Sequence, residues 1–248
     1  MCFISDMIKF SKIAPPPKPE FRQIGKYKII SSLNALTNDG ERVFVSTIKD
    51  EDKLKTILID KNNNVVGTNS FSINDNTLRG HRIDAYSNGK HKGLGEIMRL
   101  ASIIDVIENN LRKIRIFSLN EAIPFHLKYK FRPEILTYDS MMDILNRIAS
   151  IEEPSMKEFS KKADDIFADI FINGAINNEH NYYTELPNFI ISYVNKTKQK
   201  NLPWNKTASS AGMNFKEDLP MTLTNRDIKE NKSFFNDLFE KHGIDYKI

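Results

Sequence analysis

The sequence predicts an α+β fold, with strands filling the first part of the chain and helices most of the rest. Three observations predict it. Short runs rich in β-branched and aromatic residues, separated by turn signals, occupy residues 27–87. The hydrophobic period then switches to a helical one after Gly93. A strand-like alternation returns near the end, at Leu219–Thr224, before a final amphipathic stretch.

The elements follow in order. Residues 1–25 read as an extended leader, because Pro15-Pro16-Pro17 and Pro19 fix φ and remove backbone donors. Tyr27–Ser32 and Arg42–Ile48 are strand candidates around the turn signal Asn38-Asp39-Gly40. Thr56–Asp60 and Val65–Ile73 flank the polar tip Lys61–Asn64, which is a hairpin pattern. Leu78–Ser87 is a further strand. From Gly93 to Arg112 apolar residues fall at Ile97, Leu100, Ala101, Ile104, Ile107 and Leu111, one face of a helix. Met98, Ile103 and Val106 widen that face, which predicts a helix covered on two sides. A short strand, Lys113–Leu119, a short helix from Asn120 to Lys128 and an extended piece, Phe131–Leu136, come next. Ser140–Ala149, Ser155–Asn173 and Asn188–Thr197 read as helices, and 201–210 as a loop. Asn225 is a candidate cap for a last helix, Asp227–His242, that ends at Gly243.

Composition bounds the function. The chain has 248 residues, 40% hydrophobic and 27% charged, the balance of a globular protein. The net charge of +4 is too small to argue for nucleic acid. Cys2 is the only cysteine, so no intrachain disulfide can form, which fits a reducing compartment. No apolar run approaches the roughly 18 residues of a membrane span. The first residues lack a signal-peptide pattern. A cytoplasmic protein without a membrane partner is expected. The five histidines show no metal-ligand spacing, so no metal is expected.

The chemistry-bearing segment is Lys90-His91-Lys92-Gly93-Leu94-Gly95-Glu96, between a strand and the amphipathic helix. Two glycines let the backbone turn sharply and approach a ligand. The first amides of a helix have no intrahelical partner and point outward at an anion, and Lys90, His91 and Lys92 add positive charge. Phosphate or diphosphate binding is implied. A Walker loop needs Lys after the second glycine, where Glu96 stands, and a dinucleotide fingerprint needs a third glycine at Met98.

On these residues the sequence resembles the GNAT superfamily of N-acetyltransferases. The family's Arg/Gln-x-x-Gly-x-Gly/Ala at a helix start corresponds to Lys90-x-x-Gly93-x-Gly95. Its downstream strand, Asn-x-x-Ala-like turn and Tyr-x-x-x-Gly-Phe ending correspond to the stretch from Asn120 to Phe131, with Ala122, His126 and Phe131 in register. The resemblance implies a three-layer arrangement with a mixed, mostly antiparallel sheet flanked by helices. It makes 26–137 an acetyl-CoA-binding core, 138–214 a helical insertion able to serve a protein partner, and 215–248 the closing strand and C-terminal helix.

The resemblance also implies acetyl transfer from acetyl-CoA, as cosubstrate, to a primary amine of a small molecule or protein. The strand near Ala85 and Ser87 would splay from its neighbour and offer backbone groups to the acyl arm. Amides of His91, Lys92, Gly93, Leu94, Gly95 and Glu96, with Lys90, would hold the diphosphate, and Asn120 would meet the pantetheine arm. His126 stands at the family's frequent tyrosine position and is the candidate general acid, with Tyr129 in reserve; Asp84 is the candidate base, with His81 beside it. The sequence departs from the family at Lys90, His126 and Lys130, and in the spacing of Asn120 from Ala122. The two short helices that follow the family's first strand are also not evident before Thr56. The alternative is a catalytically silent module that binds coenzyme A or another protein.

Overall fold

Alternating apolar and polar residues build one twisted sheet. The computed structural model describes residues 23–24, 27–50, 53–86, 91–119, 122–135, 137–150, 154–173, 179–199 and 219–248. Its strands are β1 (Gln23–Ile24), β2 (Tyr27–Leu36), β3 (Arg42–Asp50), β4 (Lys53–Asp60), β5 (Val65–Asn74), β6 (Thr77–Ala85), β7 (Lys113–Ser118), β8 (Arg132–Pro133) and β9 (Leu219–Thr224). They form a single sheet in the order β1-β2-β3-β4-β5-β6-β7-β9-β8. Every pairing is antiparallel except β6 with β7. That one parallel pair needs a crossover, which the helix α1 (Leu94–Glu108) supplies.

The expected meander of β2 to β6 is present, and its alternation sets the buried face. Val43, Val45 and Thr47 of β3, Leu54, Thr56 and Leu58 of β4, and Asn69 and Phe71 of β5 are buried. Asn69 donates to the Ser102 hydroxyl of α1 at 3.2 Å, so this is the face against α1. Nearly every residue of α1 from Glu96 to Val106 is buried. One side packs on β4 to β7, the other on two C-terminal helices, α6 (Asn225–Glu230) and α7 (Lys232–Lys241).

Between α1 and the C-terminus run α2 (Ile123–Lys128), α3 (Tyr138–Ala149), α4 (Lys157–Asn173) and α5 (Glu179–Gln199). Strands β8 and β9 are sheet neighbours, and α3 to α5 lie between them in the chain. No helix of the described residues is long and apolar enough to cross a membrane.

The structure corrects several expected boundaries. The helix expected from Asn188 starts at Glu179 and carries Pro187 inside it. The extended piece over 131–136 pairs only at Arg132 and Pro133. The last helix is two helices, broken at Asn231, which has φ −106° and ψ 25°. Its cap is Thr224 rather than Asn225: the Thr224 hydroxyl accepts from the Asp227 amide at 3.0 Å, and the Asp227 carboxylate accepts from the Thr224 amide at 3.0 Å. The Thr-x-x-Asp box wins because it satisfies two orphan donors at once. The leader ends in a strand, β1; residues 1–22 lie outside the described residues.

Candidate cofactor site

The site begins where β6 leaves β7. Their ladder runs from Thr77↔Lys113 to Gly80↔Ile116 and stops, although β6 continues to Ala85 and β7 to Ser118. The cause is local. Phe71 of β5 pairs with Gly80 and Ser70 pairs with Arg82, so His81 is an extra residue, a β-bulge. A bulge bends its strand and raises its twist, which carries Arg82–Ala85 away from β7. The expected splay is therefore a feature of the fold, with Ala85 exposed at its rim.

Helix α1 packs on both of these strands, β6 and β7. A Cβ on Gly67, the partner of Ala85, would lie 3.2 Å from the Met98 methyl of α1. Gly93 caps the helix with φ 88°, the left-handed region that favours glycine. A Cβ there would stand 2.8 Å from the Asn38 side chain. The Ile97 amide is the first to bond back, to the Gly93 carbonyl at 3.0 Å. The amides of Leu94, Gly95 and Glu96 precede it and carry the positive end of the helix. Gly95 has room to spare: a Cβ would sit 3.5 Å from Phe125, an ordinary contact.

The β2–β3 turn holds the glycine turn from outside, a role the sequence reading missed. The Asn38 amide donates to the Lys92 carbonyl at 2.8 Å, and the Lys92 amide donates to Asp39 at 3.3 Å. Hydrogen bonds from Thr37 and the Lys92 amide hold the Asp39 carboxyl below its usual range. Turn signals in the sequence announced the bend but carried no sign of its distant partner.

The named residues divide. His91, Lys92, Gly93, Leu94, Gly95 and Glu96 are consecutive in the turn that leads into α1. Ser87, Lys90 and Asn120 lie outside the described residues. Asp84 pairs with Thr68 on the sheet face away from α1, half-buried, with its carboxylate 2.7 Å from Arg82 Nε. His81 is exposed, its Nε2 2.9 Å from the Ser72 hydroxyl.

The two candidate acids both lie in buried surroundings. His126 is 8% exposed and packs between the rings of Phe125 and Phe131. Burial and the Arg99 charge lower its pKa to about 3, so near pH 7 it holds no proton to give. Tyr129 is 1% exposed, and its hydroxyl donates to Glu96 at 2.7 Å. Burial and that carboxylate raise its pKa well above the usual phenol range. The register with the family located both side chains but could not show which way they turn.

The Glu96 side chain points away from the anion-facing amides. It lies buried among Tyr129, Lys128, Lys241 and His242. Burial pushes its carboxyl up. The His242 imidazole beside it, the hydrogen bonds from Tyr129 and Lys241, and the Lys128 charge outweigh that and hold it well below the usual carboxylate range. Among the described residues no group of three His, Cys, Asp or Glu could hold a metal.

No known family's profile matches the chain, and no curated protein matches it. Solved structures do. It is similar to a GNAT-family acetyltransferase from Staphylococcus aureus, with 16% identity and a TM-score of 0.31 over 36% of this chain and 57% of that one. It is similar to an N-acetyltransferase from Thermoplasma acidophilum in complex with coenzyme A, with 18% identity and a TM-score of 0.30 over 35% and 56%. A spermidine N-acetyltransferase variant from Vibrio cholerae gives 20% identity and a TM-score of 0.31 over 35% and 54%. The solved structures it resembles are GNAT acetyltransferases. The matched region spans little more than half of each.

Proposed function

We propose that this chain is an N-acetyltransferase that moves an acetyl group from acetyl-CoA to an amine. One observation supports it above the rest: the left-handed Gly93 turn leaves the first amides of α1 open, and α1 packs on both β6 and β7, whose ladder ends at Gly80↔Ile116. An anion-binding helix start and a strand edge with unpaired backbone groups then serve one elongated ligand, a diphosphate at one end and amide-bearing at the other. The residues fit that ligand. Glycine leaves the backbone approachable, and the described cations Lys92, Lys128 and Lys241 stand near the turn.

Bound acetyl-CoA would supply an activated thioester. The chain's own residues would do the rest. Amides of Leu94, Gly95 and Glu96 bind the diphosphate. The backbone of β6 near Ala85 orients the acyl arm, and its N–H groups favour negative charge on the acyl oxygen. The acceptor reaches the splay from the face opposite α1, where Asp84 can take a proton from an ammonium directly or through water. The new C–N bond forms as the C–S bond breaks, and the nitrogen gives its second proton to solvent. With His126 and Tyr129 withdrawn, no described side chain is assigned to protonate the sulfur. A thiol with a pKa of about 8.5 can leave as thiolate and take its proton from solvent.

The acceptor face carries apolar character. Tyr86, Phe117 and Leu119 are each at least half exposed, and all sit at the ends of β6 and β7. The Tyr86 hydroxyl lies 3.0 Å from that of Thr68, which places Tyr86 on the same face as Asp84. An amine next to an apolar body suits such a rim.

The test is acetyl-CoA binding by calorimetry with thiol release across an amine panel. We expect binding and turnover, with both lost in Gly93→Val, which strains the turn and meets Asn38. Absence of binding, or binding untouched by Gly93→Val, sinks the reading. Binding without turnover on any amine leaves the silent coenzyme A module.

A further inference from the structure

A carboxylate in the first turn of α1 stands at odds with an anion-binding role. It suits the helix dipole, but it carries the same charge as a diphosphate. Glu96 resolves this by turning inward and gathering cations. Its Oε2 accepts from Tyr129 at 2.7 Å and lies 3.4 Å from Lys128 Nζ. Its Oε1 accepts from Lys241 Nζ at 3.0 Å and lies 3.3 Å from His242 Nε2. One carboxylate thus holds two ammonium groups beside the turn, and the local charge stays positive.

All four partners come from elsewhere in the chain, with Lys128 the last residue of α2. Tyr129 is the C-cap residue of α2, Lys241 ends α7, and His242 is its cap. His242 is fully buried and bonds β2 twice: its Nδ1 donates to the Leu36 carbonyl, and its own carbonyl accepts from the Leu36 amide at 2.7 Å. Two residues past Leu36, Asn38 grips the Lys92 carbonyl. The Gly93 turn is therefore clamped from both sides, by the β2–β3 turn outside and by Glu96 within, and both clamps meet at His242. The chain after His242 runs back along α1, where the Tyr246 hydroxyl donates to Glu108 at 2.7 Å.

We propose that Glu96, Tyr129, Lys241 and His242 are positioning residues for the phosphate-binding turn, so that the C-terminal helix α7 belongs to the cofactor site. This rests on the acetyl-CoA reading above. Removing one contact loosens the first turn of α1, and removing Lys241 also lowers the positive charge near its amides. The loss falls on ligands that carry the diphosphate and spares those that lack it.

The test uses the full chain with Tyr129→Phe, which keeps the packed ring, Lys241→Met, at a half-exposed site, and His242→Gln. Two readouts are taken. Amide exchange at Ile97 and Met98 in the ligand-free protein reports the turn; calorimetry with coenzyme A, and ligand-observed NMR with pantetheine, report binding. We expect faster exchange at both amides, coenzyme A affinity lower by roughly five- to thirty-fold, and pantetheine affinity unchanged. His242→Gln is interpreted only alongside the other two, because its site is fully buried. Coenzyme A affinity intact in both Tyr129→Phe and Lys241→Met overturns the proposal, as does a pantetheine loss that matches it. If the wild type binds no coenzyme A, the acetyltransferase reading falls; exchange rates then decide the clamp by themselves, and rates unchanged in all three variants overturn it.

Discussion

At the scale of single residues, two positions carry strain that their neighbours explain. Lys130 has φ 66°, and the other described non-glycine residues with positive φ are all Asn or Asp. It occupies the left-handed position after α2: the Lys130 amide bonds the Leu127 carbonyl and the Phe131 amide bonds the His126 carbonyl, a Schellman ending. Lys130 therefore holds a position whose backbone favours glycine. The left-handed region costs a side-chain residue about 1–2 kcal/mol. Against that, Lys130 Nζ sits 4.8 Å over the Phe234 ring, a contact of about 0.5 kcal/mol at an exposed site. Lys130→Gly should therefore stabilise by about 0.5–1 kcal/mol in urea titration, and Lys130→Ala should not, since it keeps the strain and loses the ring contact. Equal effects would remove strain as the cause. Arg99 is the second case. It is buried to 1% exposure, 4.8 Å from the Phe131 ring, and its Nε and Nη1 have no partner. Burial lowers its pKa to about 10, so it stays charged. Arg99→Met keeps the stem and removes the orphaned donors, and should raise stability by about 1–3 kcal/mol. A loss of that size would show that a partner for the guanidinium exists. Neither effect could be read from the sequence, where Arg99 is one of several polar residues on α1 and nothing marks it as lacking a partner.

At the scale of elements, the meander and α1 were legible because their periods are strong. The run of apolar residues on both sides of α1 correctly announced cover from the sheet and from a second layer. What was not legible is the bulge in β6, because a bulge leaves no fixed residue signature. His81, a candidate base in the sequence, is in the fold the extra residue just past which the β6–β7 ladder has ended. The bulge also explains how one strand serves two faces: Gly80 pairs with Phe71 and Ile83 with Asn69, both toward α1, although they are an odd number of residues apart. Deleting His81 restores regular alternation and leaves Ile83 and Ala85 on the α1 face. The strand should then straighten and pair with β7 beyond Gly80. We expect the deletion to fold with unfolding stability equal to or above the wild type, and to lose coenzyme A affinity. A deletion that binds as the wild type does would show that the splay has another origin.

At the scale of the whole molecule, two buried groups on α1 and α2 act on stability in opposite directions. Asp105 sits in the core, 3% exposed, with the Ser31 and Thr47 hydroxyls each 3.4 Å from its carboxylate and no described cation against it. Burial raises its pKa to about 7, above an unfolded value near 3.9. A raised acid contributes stability below the unfolded value and loses it as pH climbs through the folded one. His126 is the reverse. Burial and Arg99 lower its pKa to about 3, from about 6.5 unfolded, so its contribution is present above 6.5 and lost as pH falls. Between about pH 4.5 and 6.5 the folded protein keeps one proton on Asp105 that the unfolded chain releases, and lacks one on His126 that the unfolded chain takes up. The proton counts cancel, and the wild type should show a nearly flat stability profile across that window. Asp105→Asn keeps a side chain able to bond both hydroxyls and removes the acid. Its stability should climb with pH by up to about 1.4 kcal/mol per unit, the slope of one unmatched proton. His126→Gln should fall with pH at a similar slope. Urea unfolding of the three proteins at half-unit steps reads these slopes directly. Glu96 and Glu134, whose carboxyls are both held low, add their dependence only below the window, as their unfolded values near 4.3 are crossed. Parallel profiles for all three proteins would mean that neither buried group titrates as its surroundings require, and with that the neutral His126 that withdraws it as a proton donor would fall too.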